Sequence, residues 1–270
     1  MINKTILQKN YFINSGWLQL VVKCRSNQID ATTLLFSGFL EDLKKEKKIK
    51  NWFFLNKNKK ILFKIEFAKT NINYLLLANN LVKNIPEASV SLAVFDPEIY
   101  QFGGDIGWHL AKKYFNKIAV IISNLKLDYD NKKELAMIVV FDLFLRVCGD
   151  SWEAWDAFQR LMLIRNVKKI DLTSVTTILK TSLSKKSLDL MKDPKKLYFN
   201  DNNKPFMANF ILANTSLASE FKINELNLLF PLRKILPYYA VFIFNMFHLA
   251  EKDQKDIIKL LSIRLNPVKY

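Results

Sequence analysis

Side chains able to hold a metal or attack a substrate are scarce in this chain of 270 residues. His109 and His248 are its only histidines, and Cys24 and Cys148 its only cysteines. Neither histidine sits at metal-ligand spacing with Cys, Asp or Glu, so no metal site is expected. No histidine or other base lies near either cysteine, and both read as small buried hydrophobes rather than nucleophiles. Asp150, Glu153 and Asp156 cluster around Trp152 and Trp155, but carboxylates at the start of a helix usually serve its macrodipole. Nucleophile-elbow, phosphate-loop and dinucleotide fingerprints are absent. What remains is polar and aromatic: Tyr100 and Gln101 beside Phe102-Gly103-Gly104, Tyr238, Tyr239 and Asn245 on a late apolar stretch, and Trp17, Trp52 and Lys64 on strand-like segments.

Charge points to a kind of partner. Lys and Arg number 41 against 25 Asp and Glu, a formal +16, while half of the residues are hydrophobic. Such apolar content excludes disorder. Two cysteines exclude a disulfide framework and favour a reducing compartment. The positive charge suits nucleic acid, an anionic membrane or an acidic polypeptide. It is concentrated in two lysine runs, one holding Lys44, Lys45, Lys47 and Lys48, the other Lys57, Lys59 and Lys60. Arginine, whose planar fork favours base-edge readout, is sparse, so sequence-specific nucleic-acid recognition is not expected. The alternative for the lysines is a solvated face. Met1–Asn14 lacks the apolar run of a signal peptide. Leu236–Ala250 is too short and too interrupted for a bilayer span of about 20 residues. The expectation is a cytoplasmic protein without a membrane segment.

The elements that must position these residues follow from periodicity. Trp17–Lys23 reads as a strand, and Asp30 or Thr32 as the cap of a helix with Leu35, Phe36, Phe39, Leu40 and Leu43 on its apolar face. Trp52–Leu55 and Ile61–Phe67 read as strands around a polar turn, the second with alternating residues and one buried face. Asn73–Lys83 reads as a helix and Ser89–Phe95 as a further strand. Strand–helix–strand–strand–helix–strand is the order of a split βαβ, ferredoxin-like unit. Beyond it the chain is mostly helical: a helix opening near Asp105, another over Asp130–Val147, and Ser151 capping Trp152–Asn166. Leu188–Phe206 reads as a surface loop, with two helices after it. The fold class expected is α+β in a single domain over 1–270, sheet-forming over residues 1–95 and mainly helical over residues 96–270.

Residues 95–115, FDPEIYQFGGDIGWHLAKKYF, carry the most specific signal. Pro97, Glu98, Phe102, Gly103, Gly104 and Phe115 match a P-E-x-x-x-F-G-G loop followed by a helix ending in Phe. Trp17–Lys23, Trp52–Leu55 and Ile61–Phe67 match, in order, the strands that precede that loop. In these features the chain resembles the C-terminal domain of lantibiotic dehydratases, the thiopeptide-type bacteriocin biosynthesis domain. Members that eliminate glutamate from glutamylated Ser or Thr are expected to use strand arginines, an arginine before the aromatic-Gly-Gly, and a late helical histidine. At those places this sequence has Lys64 and Glu66, Gln101, and Val241. A departing glutamate carboxylate needs fixed cations, and the α-proton of the modified residue needs a base of suitable pKa; Gln101, Glu66 and Val241 supply neither.

Stand-alone members without those groups resemble thiopeptide pyridine synthases. That resemblance implies a formal aza-[4+2] cycloaddition between two dehydroalanines of one peptide, with loss of water and leader peptide and no cofactor. Such a reaction asks chiefly for held geometry and hydrogen-bond donors. On this reading Gln101, Tyr100, Tyr238, Tyr239 and Asn245 are catalytic candidates, while Trp17, Trp52 and Lys64 bind substrate. For the aromatic residues the alternative is core packing. Lys44, Lys45, Lys47, Lys48, Lys57, Lys59 and Lys60 would contact an acidic leader. The implied partner is a modified precursor peptide, and a homodimer or a complex with other maturation enzymes is compatible with it. The two other readings are a glutamate-eliminating partner of a separate glutamylating enzyme and a non-catalytic leader-binding module.

Overall fold

The computed structural model describes residues 16–68, 73–93, 95, 97–167 and 204–267. The chain separates into two compact units: Met1–Glu98 with Phe115–Asn124, and Ile99–Tyr114 with Leu125–Tyr270. The expected loop Leu188–Phe206 lies outside the described set up to residue 203, and its last three positions are helical instead, the first turn of the helix Lys204–Asn224. The absence of a signal segment in 1–14 also concerns residues outside that set.

In the first unit, β1 (Trp17–Lys23), α1 (Ile29–Lys45), β2 (Ile49–Lys57), β3 (Lys60–Phe67), α2 (Tyr74–Val82) and β4 (Ser89–Ala93) follow the expected order. The sheet order is β2-β3-β1-β4, antiparallel throughout, which is the split βαβ arrangement. α1 and α2 cover one face. Phe36 of α1 stacks on Phe63 of β3 with ring centroids 4.9 Å apart, and Tyr74 of α2 meets Phe67 at 6.4 Å. A two-residue turn, Asn58-Lys59, joins β2 to β3 with both φ angles positive, at 52° and 59°. That is the geometry a tight hairpin requires.

Three expectations change in this unit. The cap of α1 is Gln28, not Asp30 or Thr32, because a short 3-10 turn over Ser26–Gln28 feeds the helix one turn early. Asp30 lies instead in the first turn, where its charge complements the helix dipole. Leu35 is exposed, since the buried stripe of α1 runs through Thr32, Thr33, Phe36, Ser37, Leu40 and Leu43. β3 is buried on both faces from Phe63 to Phe67. The residues 115–123 that end α3 (Gly104–Ser123) belong to this unit. There Phe115 packs at 5.5 Å on Phe53, and Asn116 donates to the Trp52 carbonyl at 2.8 Å.

The second unit is helical: the start of α3, then α4 (Tyr129–Cys148), α5 (Ser151–Ile164), α6 (Lys204–Asn224), α7 (Leu232–Met246) and α8 (Glu251–Arg264). Every residue of α4 from Leu135 to Phe144 is buried, so this helix is surrounded rather than amphipathic. Asp150, not Ser151, caps α5, accepting from the Glu153 N–H at 2.8 Å. Three helices, not two, follow residue 203. α7 stops at Met246, where His248 at φ 59° lets the Leu249 N–H reach the Phe244 carbonyl at 3.1 Å, and α8 begins after it. Among the described residues no helix is long and apolar enough to cross a membrane.

Candidate functional site

On the face of the sheet away from α1 and α2, strand alternation brings Trp17 and Gln19 of β1 beside Glu66 and Lys64 of β3, with Phe53 of β2 opposite Lys64. Trp17, Phe53 and Phe95 form an edge-to-face triangle with centroids between 5.2 and 6.2 Å apart. The Lys64 ammonium lies 4.1 Å from the Phe95 ring centroid and donates to Oε1 of Gln19. Lys64 is only 7% exposed. Burial lowers its pKa to about 8, against the opposing charge of Glu98 and with a small addition from Lys57. Glu66, on the same face, accepts from Nδ2 of Asn51 at 2.6 Å.

The other two strand candidates have different surroundings. Trp17 is a wall of the aromatic triangle. Trp52 has no exposed surface, and its indole N–H donates to Glu41 of α1 at 2.6 Å. For both, core packing describes the side chain.

In the helical unit the Phe102-Gly103-Gly104 turn has a packing origin. Phe102 is fully buried against Trp108, Tyr238, Tyr239 and Phe242, with ring centroids 5.2 to 6.4 Å away. Gly103 and Gly104 have φ of 88° and 91°, a region that glycine enters without strain. A Cβ on Gly103 would stand 2.6 Å from Cδ1 of Ile235 in α7. The Gly103 carbonyl also accepts from the Leu229 N–H at 3.0 Å. The glycines thus allow the 228–235 segment to close on the loop. A cleft of about 460 Å³ opens beside it, lined by Tyr100, Gly103, Gly104, Asp105, Ile106 and Leu229 among others. Tyr100 is 69% exposed there and packs edge-to-face on Phe230 at 4.7 Å. Gln101 is half-buried in the 3-10 turn Tyr100–Phe102.

The candidates on α7 diverge. Tyr238 and Asn245 are half-buried, and Asn245 accepts from Nε2 of Gln254 at 3.3 Å. Tyr239 reaches no surface: Phe102, Tyr114 and Phe221 enclose its ring, and burial drives its phenol well above the ordinary range. Val241 is half-buried on the same helix.

Sequence reasoning missed a buried polar chain in this unit. Tyr114 donates to Oδ1 of Asn214 at 2.8 Å. Asn214 donates to the Val139 carbonyl and to Asp142 at 3.1 and 2.9 Å. Arg146 then holds both Asp142 oxygens at 2.8 Å. The signal was a polar residue inside a continuous apolar helix, which a buried environment tolerates only when it is hydrogen-bonded.

Glu153, Asp156 and Cys148 have structural surroundings. Glu153 and Asp156 pair with Arg233 at 2.8 and 3.4 Å, tying α5 to α7. Burial, helped by Glu153, Asp150 and Asp156, lifts the Cys148 thiol to about 12, so it is no nucleophile at neutral pH. Among the described residues no group of three His, Cys, Asp or Glu is placed to hold a metal ion.

The two lysine runs do not form one patch. Lys44, Lys45, Lys47 and Lys48 lie where α1 turns into β2, whereas Lys57, Lys59 and Lys60 lie at the β2–β3 turn. Nine strand residues separate the two ends by about 27 Å. At the first end Lys44 donates to Asn116, Lys45 pairs with Asp42, and Lys48 pairs with Glu46. The hairpin lysines have no acidic partner among the described residues.

A four-stranded split βαβ sheet with a helical unit defines the fold class, and the chain has a lantibiotic dehydratase-like fold. One solved structure similar to it is MibB, a tRNA-dependent lantibiotic dehydratase from Microbispora sp. 107891, with 12% identity and a TM-score of 0.65. The likeness covers 94% of this chain but 29% of that one, so the chain spans less than a third of that protein's length. No protein-family profile and no curated protein matches the sequence.

Proposed function

We propose that this chain matures a ribosomally made peptide by joining two of its dehydroalanines in a formal aza-[4+2] cycloaddition, with loss of water and leader peptide. The observation that carries the reading is a lantibiotic dehydratase-like fold with Glu66 buried on the sheet face beside Lys64. A carboxylate held there would repel a departing glutamate, which argues against elimination chemistry. Cycloaddition needs only positioning and donors, and Tyr100, Gln101, Tyr238 and Asn245 are the candidates that keep some exposed surface. Tyr239 supports them from within the core.

The test is incubation of the purified protein with a dehydroalanine-bearing, azole-containing peptide with its leader, read by mass spectrometry. Loss of water and release of the leader are expected. Unchanged linear peptide, together with loss of glutamate from a glutamylated peptide, would replace the reading by elimination. Full product formation by a Gln101→Ala, Tyr238→Ala double variant would remove these two residues from the chemistry.

An acidic leader is the polyanion that this reading supplies, and the unpaired hairpin end is the better contact for it. Lys57→Gln, Lys59→Gln and Lys60→Gln together should weaken leader binding about tenfold, taking roughly 0.5 kcal/mol per exposed pair. Wild-type binding should also fall with added salt. Fluorescence anisotropy of a labelled leader measures both effects. Salt-insensitive binding would return these lysines to the solvated surface.

A further inference from the structure

Lys64 stands out among the titratable groups of the sheet unit. Its four-carbon stem crosses a face walled by Trp17, Phe53 and Phe95, and its amine ends over the Phe95 ring with one fixed acceptor, Gln19. An ammonium has three donors, of which the Gln19 amide oxygen takes one and the Phe95 ring face engages another. The charged and titratable groups around it come from three elements: Glu66 on its own strand, Lys57 at the end of β2, and Glu98 of the segment after β4. Glu98 is exposed and belongs to the Pro97-Glu98 sequence of the family-like loop, and its charge acts on Lys64.

We infer that Lys64 is a reactive amine that exchanges a proton with a bound peptide amide. The inference rests on the proposed function for the identity of that peptide. As a neutral amine, Lys64 takes the proton from the amide nitrogen, and the resulting ammonium returns a proton to the amide oxygen. The N–H bond breaks, an O–H bond forms, and the amide becomes its imidic tautomer with no net gain or loss of protons. The imidic form supplies the C=N unit that an aza-cycloaddition consumes. An amine with a pKa near working pH is suited to both halves of the exchange, and burial places Lys64 there. An arginine could hold the same charge but could not release a proton.

Two measurements decide this. Trace acetylation of the folded protein with acetic anhydride between pH 6 and 10, read lysine by lysine by mass spectrometry, should give Lys64 a reactivity midpoint near pH 8, below the ordinary lysine value of 10.5. A Lys64 that stays unmodified until the protein is unfolded, or that titrates at the ordinary lysine value, overturns the inference whatever the enzyme does. With the peptide substrate, Lys64→Arg should keep the fold by circular dichroism and lose at least about 100-fold in rate. A wild-type rate for Lys64→Arg, where the wild-type enzyme converts the peptide, overturns the inference and leaves the proposed function standing. A wild-type protein that converts no peptide removes the proposed function, and the acetylation midpoint then still decides whether Lys64 is a reactive amine.

Discussion

Gly107→Ala should destabilise the helical unit by more than about 4 kcal/mol, well beyond the loss most substitutions cause. An alanine Cβ at 107 would stand 1.7 Å from the Phe102 carbonyl oxygen and 2.7 Å from its carbon. No side-chain rotation relieves this, because the obstacle is main chain. The Phe102 carbonyl would have to withdraw by more than an ångström. Phe102 cannot follow, as its ring is enclosed by Trp108, Tyr239 and Phe242. Gly103 and Gly104 cannot absorb the shift either, since Ile235 and Leu229 already touch where their side chains would be. Thermal unfolding followed by near-ultraviolet circular dichroism, which reports the packing of these aromatic rings, provides the check. Gly38→Ala is the control. Gly38 is helical with nothing within 4 Å of its missing Cβ, so alanine there should raise stability by about 0.5–1 kcal/mol. A Gly107→Ala protein that melts within a few degrees of the wild type would show that the loop is not held as described.

The same loop marks how far the sequence could be read. The matching order of strands and the Phe102-Gly103-Gly104 turn were legible, because β alternation and double glycines leave local traces. β1 is found with the boundaries its residue pattern predicts, and the sheet order follows from the order of elements. What the glycines do was not legible. Their reason lies in Ile235 and Leu229, more than 120 residues away in sequence, and no local pattern carries that information. The helix caps failed for a related reason. Asp30 and Ser151 are good capping residues by type, but Gln28 and Asp150 occupy the caps, since the approach of the preceding chain decides where the first turn closes.

The aromatic candidates show a second limit. Tyr238 and Tyr239 are adjacent, and their residue type gives both the same promise as donors. Adjacent positions on a helix point about 100° apart, so one keeps some surface and the other faces Phe102 and Tyr114 in the core. Lysine runs mislead in the opposite sense. Lys48 and Lys57 are nine residues apart, in two runs expected to contact one leader, yet an extended strand carries them to opposite ends of the sheet. A run of charge becomes a patch only when the chain between turns back.

Asn214→Ala should cost about 3 kcal/mol in the helical unit, a large effect for removing one amide. Asn214 has no exposed surface and joins three helices: it accepts from Tyr114 of α3 and donates to Val139 and Asp142 of α4 while sitting on α6. Alanine removes all three bonds and takes from the Tyr114 hydroxyl, the Val139 carbonyl and Asp142 the partner they share in the core. Asp142 would keep Arg146, but it would lose the amide donor on its buried side. Asn214→Asp sharpens the test. The new carboxylate would face Asp142 where an N–H now donates at 2.9 Å, and two carboxylates at that distance raise the pKa of one of them. A group whose folded pKa is raised destabilises the protein above that pKa, and the penalty shrinks as pH falls through it. Asn214→Asp should therefore be the less stable of the two variants at pH 8 and recover relative to Asn214→Ala at pH 5. Urea unfolding at both pH values measures it. An Asn214→Ala loss below about 1 kcal/mol, or an Asn214→Asp penalty that does not change with pH, would mean that the three helices are held by apolar packing and that the polar chain adds little.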